Sequence, residues 1–279
     1  DPYFQALVED QAKEFADYAG DIEDKCLSCH APMAHTTAHA LNQDLTSNDC
    51  SIGGECYRIE TASRQAHARE GVSCTLCHQM VAGEAEPGSG NYTVANAGEP
   101  GALTIFGPYP EPLTRPMLNN TRYRVRYSDY ISSSEHCGSC HELETPSFDV
   151  NTGHPQQPVK LFREQATYSE WRNSSYTGGG NDGRSCQDCH MPQPENYSTP
   201  IAVTRSGSVH PNWPTRAPFS RHDPAGGNTY VLGLMQTWRE ELGIANSTTV
   251  EGFQKAIDAT RDMLGRAATV SFTRAVMGR

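Results

Sequence analysis

Apolar positions along this chain are sparse and come in short groups. Over residues 1–20, Phe4, Leu7, Val8, Phe15 and Tyr18 recur at helical spacing and predict one amphipathic helix. From Gly83 to Pro116 the chain is rich in Gly, Pro and Asn, which predicts a long irregular excursion. Residues 121–127 alternate weakly, as a strand does, with their arginines on a solvated face. A Gly-rich loop is expected over 173–184, followed by a Pro-rich run over the surface from Met191 to Pro224. Two helices are then expected, over 228–242 and 249–276. Their buried faces are predicted to be Tyr230, Leu234 and Trp238 on the first, and Phe253, Ile257 and Leu264 on the second. The pattern describes a mainly α chain with long irregular loops.

Composition makes this picture stranger. Hydrophobic residues make up 36% of the 279. On the residue set that averages ~45–50% in globular domains, the chain reaches roughly 40%. So long a chain with so thin a core is expected to fold around large bound apolar groups. Its formal net charge of −11 argues against binding nucleic acid or an anionic membrane surface. No run approaches the ~18 apolar residues of a membrane span. With Asp1 first and no charged, apolar, small-residue leader, the expectation is a processed chain, periplasmic or extracellular.

Ten cysteines supply the chemistry. Eight fall in four Cys-x-x-Cys-His units: Cys26–His30, Cys74–His78, Cys137–His141 and Cys186–His190. This is the attachment signature of c-type haem. The thiols of Cys26 and Cys29, Cys74 and Cys77, Cys137 and Cys140, and Cys186 and Cys189 would add across the two haem vinyls. His30, His78, His141 and His190 would then reach the iron from the proximal side. A zinc half-site or a redox dithiol explains one Cys-x-x-Cys pair, but neither explains a histidine that follows it four times. Four haem c groups are therefore expected. The segments divide as 1–82 for the first two haems, 83–127 for the excursion, 128–227 for the third and fourth, and 228–279 for the last helices, all in one domain. Cys50 and Cys56 flank Ser-Ile-Gly-Gly-Glu, lack a following histidine, and are expected to form a short-loop disulfide.

Seven histidines remain for at most four distal positions. His39, nine residues after His30, His67 in Ala66–Glu70, and His222 before a predicted helix are the candidates by context. The fourth is open between His136, which abuts the third motif and would serve a neighbouring haem, and His210, His35 or His154. Met33 and Met191 are weaker, and Met191, adjacent to His190, cannot reach the same iron. Two imidazoles per iron give a low-potential carrier, whereas a missing distal ligand leaves a position for chemistry.

The wording around the motifs resembles a known group. Cys26-Leu-Ser-Cys-His-Ala-Pro-Met-Ala34, His67-Ala-Arg-Glu-Gly-Val-Ser-Cys-Thr-Leu-Cys-His78, Glu164-Gln-Ala-Thr-Tyr-Ser-Glu-Trp171, Ser185-Cys-Gln-Asp-Cys-His-Met-Pro192 and Gly226-Gly-Asn-Thr-Tyr230 are similar to multihaem cytochromes of the tetrahaem c-554 and hydroxylamine-oxidoreductase-like group. The resemblance implies a helical, loop-rich fold around closely spaced haems, in stacked and perpendicular pairs. It supports His39, His67 and His222 as ligands. It also implies electron transfer with redox proteins or with identical subunits, as in extracellular cytochrome filaments. The alternative it offers is an oxidoreductase acting on a nitrogen compound at one five-coordinate haem. In many similar proteins a β-sandwich follows the last helix and contributes a ligand. Here that ligand is expected from another chain, or one iron is open. Mass spectrometry of the intact purified protein is expected to exceed the polypeptide mass by four haem groups, and Cys74→Ala with Cys77→Ala should remove one.

Overall fold

In the computed structural model, residues 2–52, 54–97, 103–178, 183–201, 203–268 and 271 are described. Contacts group the chain into two compact units, Asp1–Gly183 and Arg184–Arg279, so the third and fourth Cys-x-x-Cys-His units fall in different units. In the first unit the helices are α1 (Pro2–Glu14), α2 (Ala19–His30), α3 (Pro32–Leu41), α4 (Ile59–Arg64), α5 (Cys74–Gln79), α6 (Thr114–Thr121), α7 (Ser134–Gly138) and α8 (Thr167–Arg172). The second holds α9 (Cys186–His190), α10 (Thr229–Thr237) and α11 (Val250–Ala267). Strands among the described residues form two-stranded ribbons only. β1 (Leu45–Thr46) pairs with β2 (Cys56–Tyr57), and β3 (Met80–Ala82) with β4 (Tyr92–Val94), both antiparallel. β5 (Thr104–Gly107) runs parallel to β6 (Arg124–Tyr127) across α6, β7 (Leu143–Pro146) is antiparallel to β8 (Leu161–Gln165), and β9 (Thr199–Pro200) to β10 (Thr215–Arg216).

Serines explain where two of the cysteine-bearing helices start. Ser73 Oγ accepts the Leu76 amide at 3.2 Å, so α5 begins at Cys74. Ser185 and Asp188 form a reciprocal capping box, so α9 begins at Cys186. Pro32 at the first turn of α3 and Asn42 in the left-handed region (φ 49°) at its end delimit that helix.

The predicted N-terminal helix is divided: α1 ends at Glu14, and a single 3₁₀ turn at Ala16–Tyr18 redirects the chain into α2. Val8 is buried, whereas Leu7 is exposed. In α11 the buried face is Phe253, Ile257, Thr260 and Met263, so the predicted Leu264 lies one position off and is exposed. The prediction for α10 is inverted. Tyr230 is 73% exposed, Trp238 is 53% exposed and Leu234 is exposed too, while Leu232 and Met235 are half-buried. Apolar residues occupy both stripes of this helix, so periodicity alone did not identify the inward one. The part of the predicted last helix beyond Ala267 lies almost wholly outside the described residues.

Buried apolar matter is scarce. One cluster joins Leu27, Ala31, Ala34, Ala38, Tyr57, Ala62 and Ala68, mostly small residues that let α2, α3 and α4 approach. A second joins Leu76, Met80 and Val94, with Met33, Tyr92 and Tyr130 against it. Large apolar side chains such as Phe162, 60% exposed, lie outside both.

Polar side chains of α2 compensate. Buried Glu23 accepts Arg58 Nε at 2.8 Å and Nη2 at 3.0 Å, and the Ile59 amide at 2.8 Å. Asp21 accepts the Ser51 and Ile52 amides at 2.7 and 3.0 Å. These two amides lie in the loop closed by the Cys50–Cys56 disulfide, whose Cα atoms are 6.0 Å apart. No helix among the described residues is long and apolar enough to cross a membrane. Glu23→Ala should leave the Arg58 guanidinium and the Ile59 amide without their acceptor at once. A loss of about 3 kcal/mol is expected, read as a lowered denaturant midpoint with an unchanged slope.

Candidate haem sites

Each Cys-x-x-Cys pair needs its two sulfurs side by side, and one helical turn provides that. Residues three apart lie on the same helix face, so a cap immediately before the first cysteine presents both thiols together, with histidine next in the chain. α5 and α9 are built this way, and α2 carries Cys26, Cys29 and His30 in its last turns. In the third motif α7 covers Cys137 and Gly138. Glu135 O continues the turn by accepting the Ser139 amide at 3.0 Å, and Cys137 O accepts the His141 amide at 3.0 Å.

Imidazole orientation is set by backbone carbonyls. His78 Nδ1–H donates to Phe106 O at 2.7 Å, and His190 Nδ1–H donates to the Ala225 carbonyl. With Nδ1 as the donor, Nε2 is the nitrogen that carries a lone pair, the arrangement found in histidines that bind metals. His222 follows the same rule. Its Nδ1 donates to Ser220 O at 2.8 Å, with Phe219 stacked on the ring at 5.0 Å. Neither Phe106 nor Ala225 was legible in the sequence, since a backbone carbonyl leaves no residue signature.

The first and third motifs meet. The Cys29 and Cys140 thiols are close enough to interact, which lowers the pKa of Cys29 and raises that of Cys140. Burial lowers His30, and the nearby charge of His141 adds to it. The turn over 88–92 lies between the two motifs. Gly90 N–H donates to Ser139 O at 2.8 Å, Ser89 N–H to Glu142 O at 2.6 Å, and Tyr92 Oη–H to the Ser28 carbonyl. Gly90 has φ +73°, and a Cβ there would lie 2.6 Å from Ser28 Oγ, so only glycine fits this wedge. Glu142 accepts Ser169 N–H and Oγ–H at 2.9 and 2.6 Å, which fixes the far side.

The second motif is approached by His136. This side chain is buried, its Nδ1 has no hydrogen-bond partner, and Tyr130 contacts its ring edge at 5.3 Å. Burial, then the neighbouring charge of His78, pushes its pKa down to about 4, so it is a neutral imidazole. Other histidines are engaged elsewhere. His154 Nδ1 lies 2.9 Å from Tyr18 Oη, and His210 packs beside Trp213 at 5.7 Å. His67 is exposed at the start of a 3₁₀ turn, Ala68–Glu70. His39 Nε2 lies 2.8 Å from Asp24 Oδ1, and His35 Nε2 lies 3.2 Å from Asp24 Oδ2. The sequence reading overlooked Asp24, although the four-residue spacing of His35 and His39 was visible.

The donor set fits covalently held haem better than zinc. Among the described residues, the motif cysteines and histidines nowhere converge three at a time on a point an ion could occupy. They form separate thiol pairs, each with its own imidazole. Comparison of the chain with family models, characterised proteins and solved structures finds no match.

Burial alone would raise the Asp24 carboxyl. The His35 imidazole 3.2 Å away and hydrogen bonds from the Tyr57 amide and His39 outweigh burial and hold the pKa below the ordinary 3.8. A carboxylate that ionises more readily when folded contributes stability above pH 3.8, and the contribution is lost as pH falls. Denaturation midpoints of wild type and Asp24→Asn should therefore differ clearly at pH 6 and converge near pH 3.

Proposed function

We propose that this chain is a tetrahaem c-type cytochrome, similar to the c-554 and hydroxylamine-oxidoreductase-like group, that carries electrons outside the cytoplasmic membrane. The observation that carries the proposal is the Cys-x-x-Cys-His unit repeated four times. The contact between Cys29 and Cys140 supports it, because it makes neighbours of two attachment sites. Bound there, haem iron supplies a reversible one-electron couple whose potential follows its axial ligands and burial.

The chain's own residues then have separable roles. Cys26 and Cys29, Cys74 and Cys77, Cys137 and Cys140, and Cys186 and Cys189 anchor the four groups. His30, His78, His141 and His190 are the proximal ligands. The Phe106 and Ala225 carbonyls hold the His78 and His190 rings in the tautomer that offers Nε2. His136, buried beside His78, is the distal partner for the second motif. His222, oriented through Ser220, serves as a distal ligand, and His67 is assigned the same role by the resemblance. His39, whose Nε2 lies 2.8 Å from Asp24 Oδ1 in this structure, is likewise assigned a distal role by the resemblance, which brings the distal set to four. Redox proteins or further copies of the chain are the proposed partners.

Optical and electron paramagnetic resonance spectra of the oxidised protein are expected to show four low-spin haems per chain. His136→Ala should convert about one of the four to high spin and open it to carbon monoxide. A wild-type preparation free of haem would end the proposal, and an unchanged spectrum in His136→Ala would remove that ligand assignment.

A further inference from the structure

Positive charge is unevenly placed on this chain. Acidic residues outnumber Lys and Arg by 33 to 22 overall, yet between Leu103 and Tyr127 stand four arginines and the single acid Glu111. Arg115 lies in the first turn of α6, and Arg122 ends that helix in the left-handed region (φ 64°). Arg124 and Arg126 follow two apart on β6, so they share one side of the strand. All four are exposed, and among the described residues none of their guanidinium groups meets a carboxylate. The exposed Arg64, Arg172 and Arg266, in contrast, are each paired with one. Met117 and Tyr127 are exposed beside them. Arg, Met and Tyr are enriched where proteins meet, whereas Lys and Glu are depleted there, and this stretch has no Lys and one Glu.

The patch adjoins one haem motif. Phe106 of β5, whose carbonyl accepts His78 Nδ1–H at 2.7 Å, stands opposite Arg126 in the parallel β5–β6 register. Paired strands run about 4.8 Å apart, so Arg126 is one strand spacing from the residue that orients the His78 ring. We propose that this face is where an acidic redox protein docks to exchange electrons with the second haem. The inference rests on the haem reading and names the partner chemistry for one of its sites. Elsewhere the net charge of −11 repels such a partner, so the arginines select both its sign and its orientation. One electron then crosses: the iron changes between ferrous and ferric while the partner's own one-electron centre changes the opposite way, and no bond or proton is exchanged.

Probes of stated charge test the face on the haem-loaded protein. A fluorescein-labelled polyglutamate peptide, followed by anisotropy, is expected to bind at about 10 mM salt and roughly tenfold more weakly at about 150 mM. In stopped flow, the dithionite-reduced protein is oxidised by ferricyanide, which is anionic, or by tris(phenanthroline)cobalt(III), which is cationic, each taking one electron. Although the chain is acidic, the ferricyanide rate should fall as salt rises. Arg122→Gln, Arg124→Gln and Arg126→Gln together should abolish peptide binding and lower the ferricyanide rate about tenfold at low salt, without slowing the cobalt complex. Arg64→Gln, Arg261→Gln and Arg266→Gln together remove the same charge from other surfaces and should leave both readouts at wild-type values. No peptide binding by wild type, equal losses in the two triple variants, or a ferricyanide rate that rises with salt overturns the docking face. Lowered haem content or a shifted midpoint potential in the first triple variant also overturns it, by assigning the arginines to haem propionates. So does binding of phosphatidylserine vesicles at these arginines without binding of the peptide. A preparation free of haem, measured by its pyridine complex, defeats the haem reading and with it the exchange of electrons, whatever the peptide does.

Discussion

Everything in the first unit depends on holding two turns of helix against each other. The end of α2 and the turn following α7 present their cysteines face to face, and neither segment is long enough to be a stable helix alone. Their approach is enforced by the backbone of residues 88–92, which hydrogen-bonds to Ser139 and Glu142 on one side and receives Lys25 Nζ on the other. Hydrogen bonds, rather than a broad apolar interface, do most of this positioning. A chain with so few large buried side chains has little else to use.

The economy of apolar matter repeats across the unit. Alanines at 31, 34, 38, 62 and 68 form much of one cluster, and they bury little area each while allowing close backbone approach. Charged groups fill the remaining role: Glu23 with Arg58, Asp21 with the disulfide loop, Glu142 with Ser169. Buried carboxylates such as Glu23 and Glu142 stabilise only while every acceptor position is used, which makes the assembly specific but sensitive to single changes.

The local chemistry was legible in the sequence because it is local. The cysteine pairs and their following histidines are contiguous and could be read directly, whereas the caps at Ser73 and Ser185 that start two of the helices emerged only from the structure. The helices at Phe253 and Tyr230 were legible as helices, but the inward face of α10 was not, since it carries apolar residues on two stripes. Long-range partners were invisible. Nothing in the composition of the 83–127 excursion announced that Gly90 would lie between two motifs, or that the Phe106 carbonyl would orient His78. The nearness of His136 to His78 was foreseen only as far as its direction away from the third motif.

The meeting of Cys29 with Cys140 joins positions separated by roughly a hundred residues, and a ribosome takes roughly 5 to 20 seconds to add that many. Throughout that interval the nascent chain already contains Cys26, Cys29, Cys50 and Cys56 but not the third motif. Closure of the six-residue Cys50–Cys56 loop costs less entropy than pairing either of these cysteines with Cys26 or Cys29. Bridging of that pair once the chain reaches an oxidising compartment takes two thiols out of competition with those of the motifs.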